Sequence, residues 1–154
     1  MSESFLDLLT VHAELIELFC EHQDALVDRD FARALERLLE LRRRIDEHMH
    51  AEEELFARVF ARMNEIGGTP IELFLGEHKH LRELLAQFET ATRRIDPAAA
   101  DVRRRVTALL DDETLFKAFF SHHDERERNL LYPTLDRTAS AADRQKALRR
   151  NGRK

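Results

Sequence analysis

Four stretches of this chain repeat their apolar residues in alternating steps of three and four, and histidine or glutamate breaks the repeat in each. The first seam runs Phe5, Leu8, His12, Leu15, Phe19, His22, Leu26. The second runs Phe31, Ala34, Leu38, Leu41, Ile45, His48, Glu52, Leu55, Val59 and, less cleanly, Met63. The third is Ile71, Phe74, His78, Leu81, Leu85, Phe88, Thr92, Ile95, and the fourth Val102, Val106, Leu109, Glu113, Phe116, Phe120, His123, Glu127, Leu130. Side chains three and four apart share one helix face, so each stretch reads as an amphipathic helix with one buried stripe.

Turn chemistry separates the stretches. Asp28 and Asp30 favour a turn and a cap for the next helix. Gly67-Gly68 stops the second helix, and Thr69-Pro70 predicts an N-cap followed by the first helical position of the third. Asp96-Pro97 ends the third helix. The acidic run Asp111-Asp112-Glu113 leaves the heptad phase of the fourth unbroken, so one long helix is expected until Pro133 kinks or ends it. Four helices with short connections predict an all-α, antiparallel up-down four-helix bundle. A short C-terminal helix over 139–149 is a possible addition.

The 154 residues suit one core. The expected division is a bundle over 1–137 and a basic, flexible tail over 138–154, carrying Arg144, Lys146, Arg149, Arg150, Arg153 and Lys154. That tail reads as a solvated end, with an electrostatic contact as the other reading. The net charge of −5 argues against nucleic acid as a partner. No apolar run approaches the roughly 18–20 residues of a membrane span. Residues 1–9 lack the basic start of a secretory signal, and the lone Cys20 excludes an internal disulfide, so a cytoplasmic location is expected.

The polar residues on the seams are harder to explain as packing. A buried ionised carboxylate is costly unless it is paired or binds a metal. Three histidines stand four residues before a glutamate. His48–Glu52 and His123–Glu127 lie on seams, while His50–Glu54 lies off them. A stacked imidazole and carboxylate can bind one metal or place the carboxylate between two. The mixed nitrogen and oxygen donors suit iron, manganese or zinc, without the thiolates of a structural zinc site. Ten residues separate His12 from His22, roughly 15 Å along a helix, so one compact site cannot use both. Mirroring about the turn near residue 29 places His12 opposite residue 46, close to His48, and His22 among leucines. Mirroring about Gly67-Gly68 instead sets His48 and Glu52 against residues 83–87 rather than His78. His50, His80 and His122 fall off the seams and read as surface or supporting groups, and Glu113 is left as ligand, pathway residue or local break.

With these residues in order, the chain resembles the hemerythrin-like family, in its branch of HHE cation-binding domains. The resemblance rests on His12, HMHAEEELF (48–56), EHKHLRELL (77–85) and HHDERERNLLYP (122–133), and covers roughly residues 5–135. It implies two non-haem irons bridged by two glutamates and a solvent oxygen. The ligands carried over would be His12, His48, Glu52, His78, His123 and Glu127. The family's oxygen carriers have H-x-x-x-H on the third helix and H-x-x-x-x-D on the fourth. Here Phe74 and Arg82 flank His78 at four residues, and Arg128 follows His123 at five. One histidine is therefore missing, which argues against reversible oxygen carriage and for a more open or weaker site. His22 or His80 would fill the gap only if the helices shift.

The expected function is binding or sensing of a small diatomic or peroxide ligand such as dioxygen, nitric oxide or hydrogen peroxide, more a binding protein than an enzyme. Phe74, Phe116, Phe119 and Phe120 are the expected lining of its apolar pocket. An iron donor or repair protein, and a metal-free helical interaction module with a polar core layer, are the alternatives. An oxidase or peroxidase would need a substrate pocket and a reductant site, which no motif specifies. No protein partner is indicated.

Overall fold

The computed structural model describes residues 4–59, 65–66 and 68–150. The expectations for Met63, Gly67, Arg153 and Lys154 lie outside the described residues. Within them the chain is all-α apart from one two-residue antiparallel ladder.

A 3-10 turn, Phe5–Leu8, opens the chain, capped by Ser4, whose hydroxyl accepts the Leu6 N–H at 3.1 Å. It feeds α1, Leu9–Val27. Arg29 takes a left-handed conformation (φ 58°) and Asp30 accepts the Arg33 N–H at 3.1 Å, which reverses the chain and caps α2, Phe31–Val59. Helix α3 is Ile71–Arg93 and α4 is Val102–Arg126, unbroken through the acidic run. The long helices pack in sequence, α1 on α2, α2 on α3 and α3 on α4, and α4 also packs on α1.

One local expectation is corrected, and two others gain detail. Thr69–Pro70 is a strand, β2, paired with Glu65–Ile66, β1. Pro70 is the N-cap of α3 rather than its first residue, because its ψ of 140° is extended and its missing N–H costs nothing there. Regular α-helical geometry in the fourth helix stops at Arg126, ahead of Pro133. A π-helical turn, Glu127–Leu131, absorbs it, and α5, Tyr132–Thr138, continues the chain. The proline ring offers no N–H and crowds the carbonyl four residues back, and one wider turn relieves that conflict. Ala141–Arg150 forms α6, the short C-terminal helix offered over 139–149. It packs on α2, with Ala147 buried and Arg144 donating to the Asp136 carbonyl at 3.1 Å.

The apolar residues gather in two clusters. One holds Leu15, Phe19, Leu26, Leu38, Leu41, Ile45, Leu81, Leu85, Phe88, Val106, Leu109, Phe116 and Phe120. The other holds Phe5, Leu8, Leu55, Phe56, Phe74, Leu131, Tyr132, Leu135 and Ala147. Along every seam the change of cluster falls at the polar residues: His12 follows Leu8, His48 and Glu52 follow Ile45, His78 follows Phe74, and His123 and Glu127 follow Phe120. The polar layer is thus held between two apolar ones.

Candidate metal centre

Six polar side chains from four helices meet in that layer, all at most 3% exposed. They form two groups that share both glutamates. His12, His48, Glu52 and Glu127 make one, and Glu52, His78, His123 and Glu127 the other. Within each group the potential donor atoms lie within 4.8 Å of one another. Each carboxylate turns one oxygen to each group. Glu52 Oε1 is 3.3 Å from His48 Nε2 and its Oε2 is 3.3 Å from His78 Nε2. Glu127 Oε2 is 3.0 Å from His12 Nε2, and its Oε1 is 2.8 Å from His123 Nε2 and 3.7 Å from His78 Nε2.

Several of these atoms have no hydrogen bond although neighbours are close. Glu52 Oε2, His78 Nε2, His123 Nε2 and Glu127 Oε1 are buried without a partner. His123 Nε2 and Glu127 Oε1 are 2.8 Å apart, so distance is not what prevents the bond; the angles are wrong. The atoms converge on shared space rather than on each other. His12 Nε2 and His48 Nε2 also face one another at 2.9 Å, where only one ring can donate. Donors placed about 2.1 Å from one cation at right angles stand about 3 Å apart, which is the spacing seen here. The donor set and its orphaned atoms therefore fit a metal.

Three of the imidazoles are fixed from behind by carboxylates that arginines hold in turn. His12 Nδ1 lies 2.5 Å from Asp124 Oδ1, and Arg128 donates to Asp124 at 3.0 Å. His78 Nδ1 lies 3.0 Å from Glu53 Oε1, which also accepts from Arg82 at 2.8 Å. His123 Nδ1 lies 2.8 Å from Glu77 Oε2, and Arg126 Nε is 2.6 Å from its other oxygen. Each support orients a ring so that Nε2 points inward, and makes it a better donor.

Without a cation, protons balance the carboxylates. Burial pulls His12 down, but hydrogen bonds with Asp124 and Glu127 outweigh it and raise the ring to about 10. Burial likewise opposes His78 and His123. The nearby carboxylates of Glu127, Glu52 and Glu53 raise the first to about 11, and the Glu127 charge, with Glu77 behind the ring, raises the second to about 9. Burial pushes the Glu127 carboxyl up, yet the charge of His123 and the bond from His12 hold it well below its ordinary value. The His78 bond takes Glu53 to about 2.

The remaining sequence candidates are elsewhere. His22 and Glu113 bond to each other at 2.7 Å inside the larger apolar cluster. His22 Nδ1 reaches the Ala34 carbonyl at 2.7 Å, and Gln23 donates to Glu113 at 3.0 Å. They form a separate polar pair and join neither metal group. His80 and His122 are exposed, His80 resting edge-on against Phe119 with ring centroids 4.5 Å apart. Of the expected pocket residues, Phe120 touches the site, 5.6 Å from the His12 ring and 6.2 Å from the His123 ring. Phe116 stacks behind it at 5.6 Å. Phe74 packs against Phe56, and it is Phe56 that stacks on His78 at 6.3 Å.

Sequence reasoning missed Asp124, Glu53 and Glu77 as ring supports. Each sits next to a seam residue in sequence, which was the available signal. It also missed Tyr132, fully buried, whose hydroxyl lies 2.7 Å from Glu52 Oε1, 3.0 Å from Glu127 Oε2 and 3.1 Å from His12 Nε2. Burial and the charges on Glu127 and Glu52 raise its phenol well above the ordinary value.

A cleft of about 440 Å³ between α1 and α4 reaches the layer from the surface, bordered by Ile16, Cys20, Lys117, Ser121 and Arg128 and floored by His12 and Phe120. No described helix is long and apolar enough to cross a membrane. In comparisons with known proteins, the family model described as the hemerythrin HHE cation binding domain matches residues 6–135. No curated protein and no solved structure matches the chain.

Proposed function

The chain belongs to the hemerythrin HHE cation-binding domain family, and from that premise we propose that it is a non-haem di-iron protein that binds or senses a small diatomic or peroxide ligand. The observation that carries the reading is the doubled donor group. Two buried clusters share two glutamates, each carboxylate aims one oxygen at each cluster, and four atoms facing the His78/His123 position lack hydrogen bonds. His12 and His48 would hold one iron, His78 and His123 the other, with Glu52 and Glu127 bridging. A metal-free polar core would have to pair those atoms internally, and the orphaned atoms count against it.

An antiparallel up-down bundle of the hemerythrin type is the arrangement these contacts support. Partners on α1 and α2 run in opposite senses, as in His12–His48, Glu14–Arg44 and Glu21–Arg37. The same holds for α2 and α3 in Glu53–His78, Asp46–Arg82 and Arg42–Glu89. It holds again for α1 and α4 in His12–Asp124 and His22–Glu113. The lone Cys20 suits a reducing cytoplasm.

Bound iron would supply open coordination positions and redox chemistry for a small ligand. The chain's own residues do the rest. Asp124, Glu53 and Glu77 fix the rings, Phe120 and Phe56 exclude water around them, and the cleft beside His12 admits a small molecule while the packed layers exclude a large one. The test is metal content and near-ultraviolet absorption after anaerobic loading with ferrous iron and exposure to air. About two irons per chain are expected, with new charge-transfer bands that disappear in His48→Ala and Glu127→Ala. Absence of bound metal together with unchanged thermal stability would sink the proposal.

A further inference from the structure

The chain's single tyrosine occupies an unusual place. Tyr132 follows Glu127 by five residues, which in a regular α-helix turns it about 140° away. The π turn removes that rotation: the Tyr132 N–H bonds to the Glu127 carbonyl, five residues back, and both side chains enter the same layer. The phenol oxygen then meets three potential acceptors within 3.1 Å, from α1, α2 and its own π turn. A phenol has one proton to donate. In a loaded site the phenol oxygen would face a nitrogen and two carboxylate oxygens that all serve the His12/His48 position.

Resting on the di-iron reading above, we propose that the Tyr132 phenolate is itself a ligand of the iron held by His12 and His48. The three contacts of its oxygen are to His12 Nε2, Glu52 Oε1 and Glu127 Oε2, the atoms of that group, and none is to His78 or His123. The phenolic proton leaves to solvent as the cation binds, as the ring protons do, and no electron is transferred. The two irons become unequal: the His12/His48 position gains an oxygen donor, and the His78/His123 position keeps the smaller donor set.

The test loads the full chain with iron, oxidises it to the ferric state, and records metal content, visible absorption and resonance Raman spectra. Because Tyr132 is the only tyrosine, growth on ring-deuterated tyrosine labels this position alone. The expected result is about two irons per chain, a visible phenolate-to-ferric charge-transfer band whose ring modes shift on deuteration, and loss of that band in Tyr132→Phe with the iron count retained. Bound iron with no phenolate band, or a band insensitive to the label, overturns the assignment and makes Tyr132 a hydrogen-bond donor only. No bound iron overturns the di-iron reading as well, so the two failures are distinguishable. If Tyr132→Phe does not fold, the labelled wild-type spectrum decides by itself.

Discussion

Without a metal, the carboxylates around His12, His78 and His123 favour their protonated forms, and this has a definite sign in pH. Their folded values of about 10, 11 and 9 lie above the unfolded value of 6.5. The stability they contribute is therefore complete below about 6.5 and is lost as pH rises through about 9 to 11. The metal-free protein is expected to melt at progressively lower temperature across that window; a flat profile in thermal unfolding after chelation would show that these rings do not neutralise Glu127 and Glu52. A metal occupies the position of those protons, so loading should release protons and acidification should weaken binding. Arg82, four residues beyond His78, holds Glu53, which in turn fixes His78.

At the scale of elements, α6 and the π turn do most to shape the site's outer wall. Helix α6 completes the smaller apolar cluster over Phe5, Leu8 and Tyr132 by burying Ala147, with Arg58 and Asp143 as an outlying pair at 3.8 Å. Ala147→Asp should lower stability by about 1–3 kcal/mol, measured by denaturant unfolding, while the iron count stays at its wild-type value. Loss of iron from the folded variant would instead tie α6 directly to the metal layer. The π turn buries Glu127 and Leu131, and it decides whether residue 132 faces the glutamates or another side of the helix.

Among the described residues, two separate His–Glu inclusions lie in the apolar interior. The His22–Glu113 pair lies within the larger cluster, and the six-residue layer lies between the clusters. Removing Glu113 leaves His22 buried without its partner, so Glu113→Ala should cost about 1–3 kcal/mol. The double change His22→Leu, Glu113→Leu should recover much of that loss, and both variants should load iron as the wild type does. A fall in iron content measured in the folded double variant would show that the two inclusions act as one.

The helices and the residues of the polar layer were legible in the sequence because both depend on local periodicity. A step of three or four fixes which side chains share a face, so His12, His48, Glu52, His78, His123 and Glu127 could be placed on buried seams from the chain alone. Tertiary packing decided how far one helix slides along another. The contacts Glu53–His78 and Asp46–Arg82 set α3 along α2 away from the mirror about the glycines, so Glu52 meets His78 and not residues 83–87. Packing also decided that His22 and Glu113, ninety-one residues apart, satisfy each other, and that a basic segment docks as a helix. Tyr132 was hidden for a different reason. Its orientation depends on a departure from α-helical geometry around Pro133, and a pattern that assumes 3.6 residues per turn cannot register a turn that is wider.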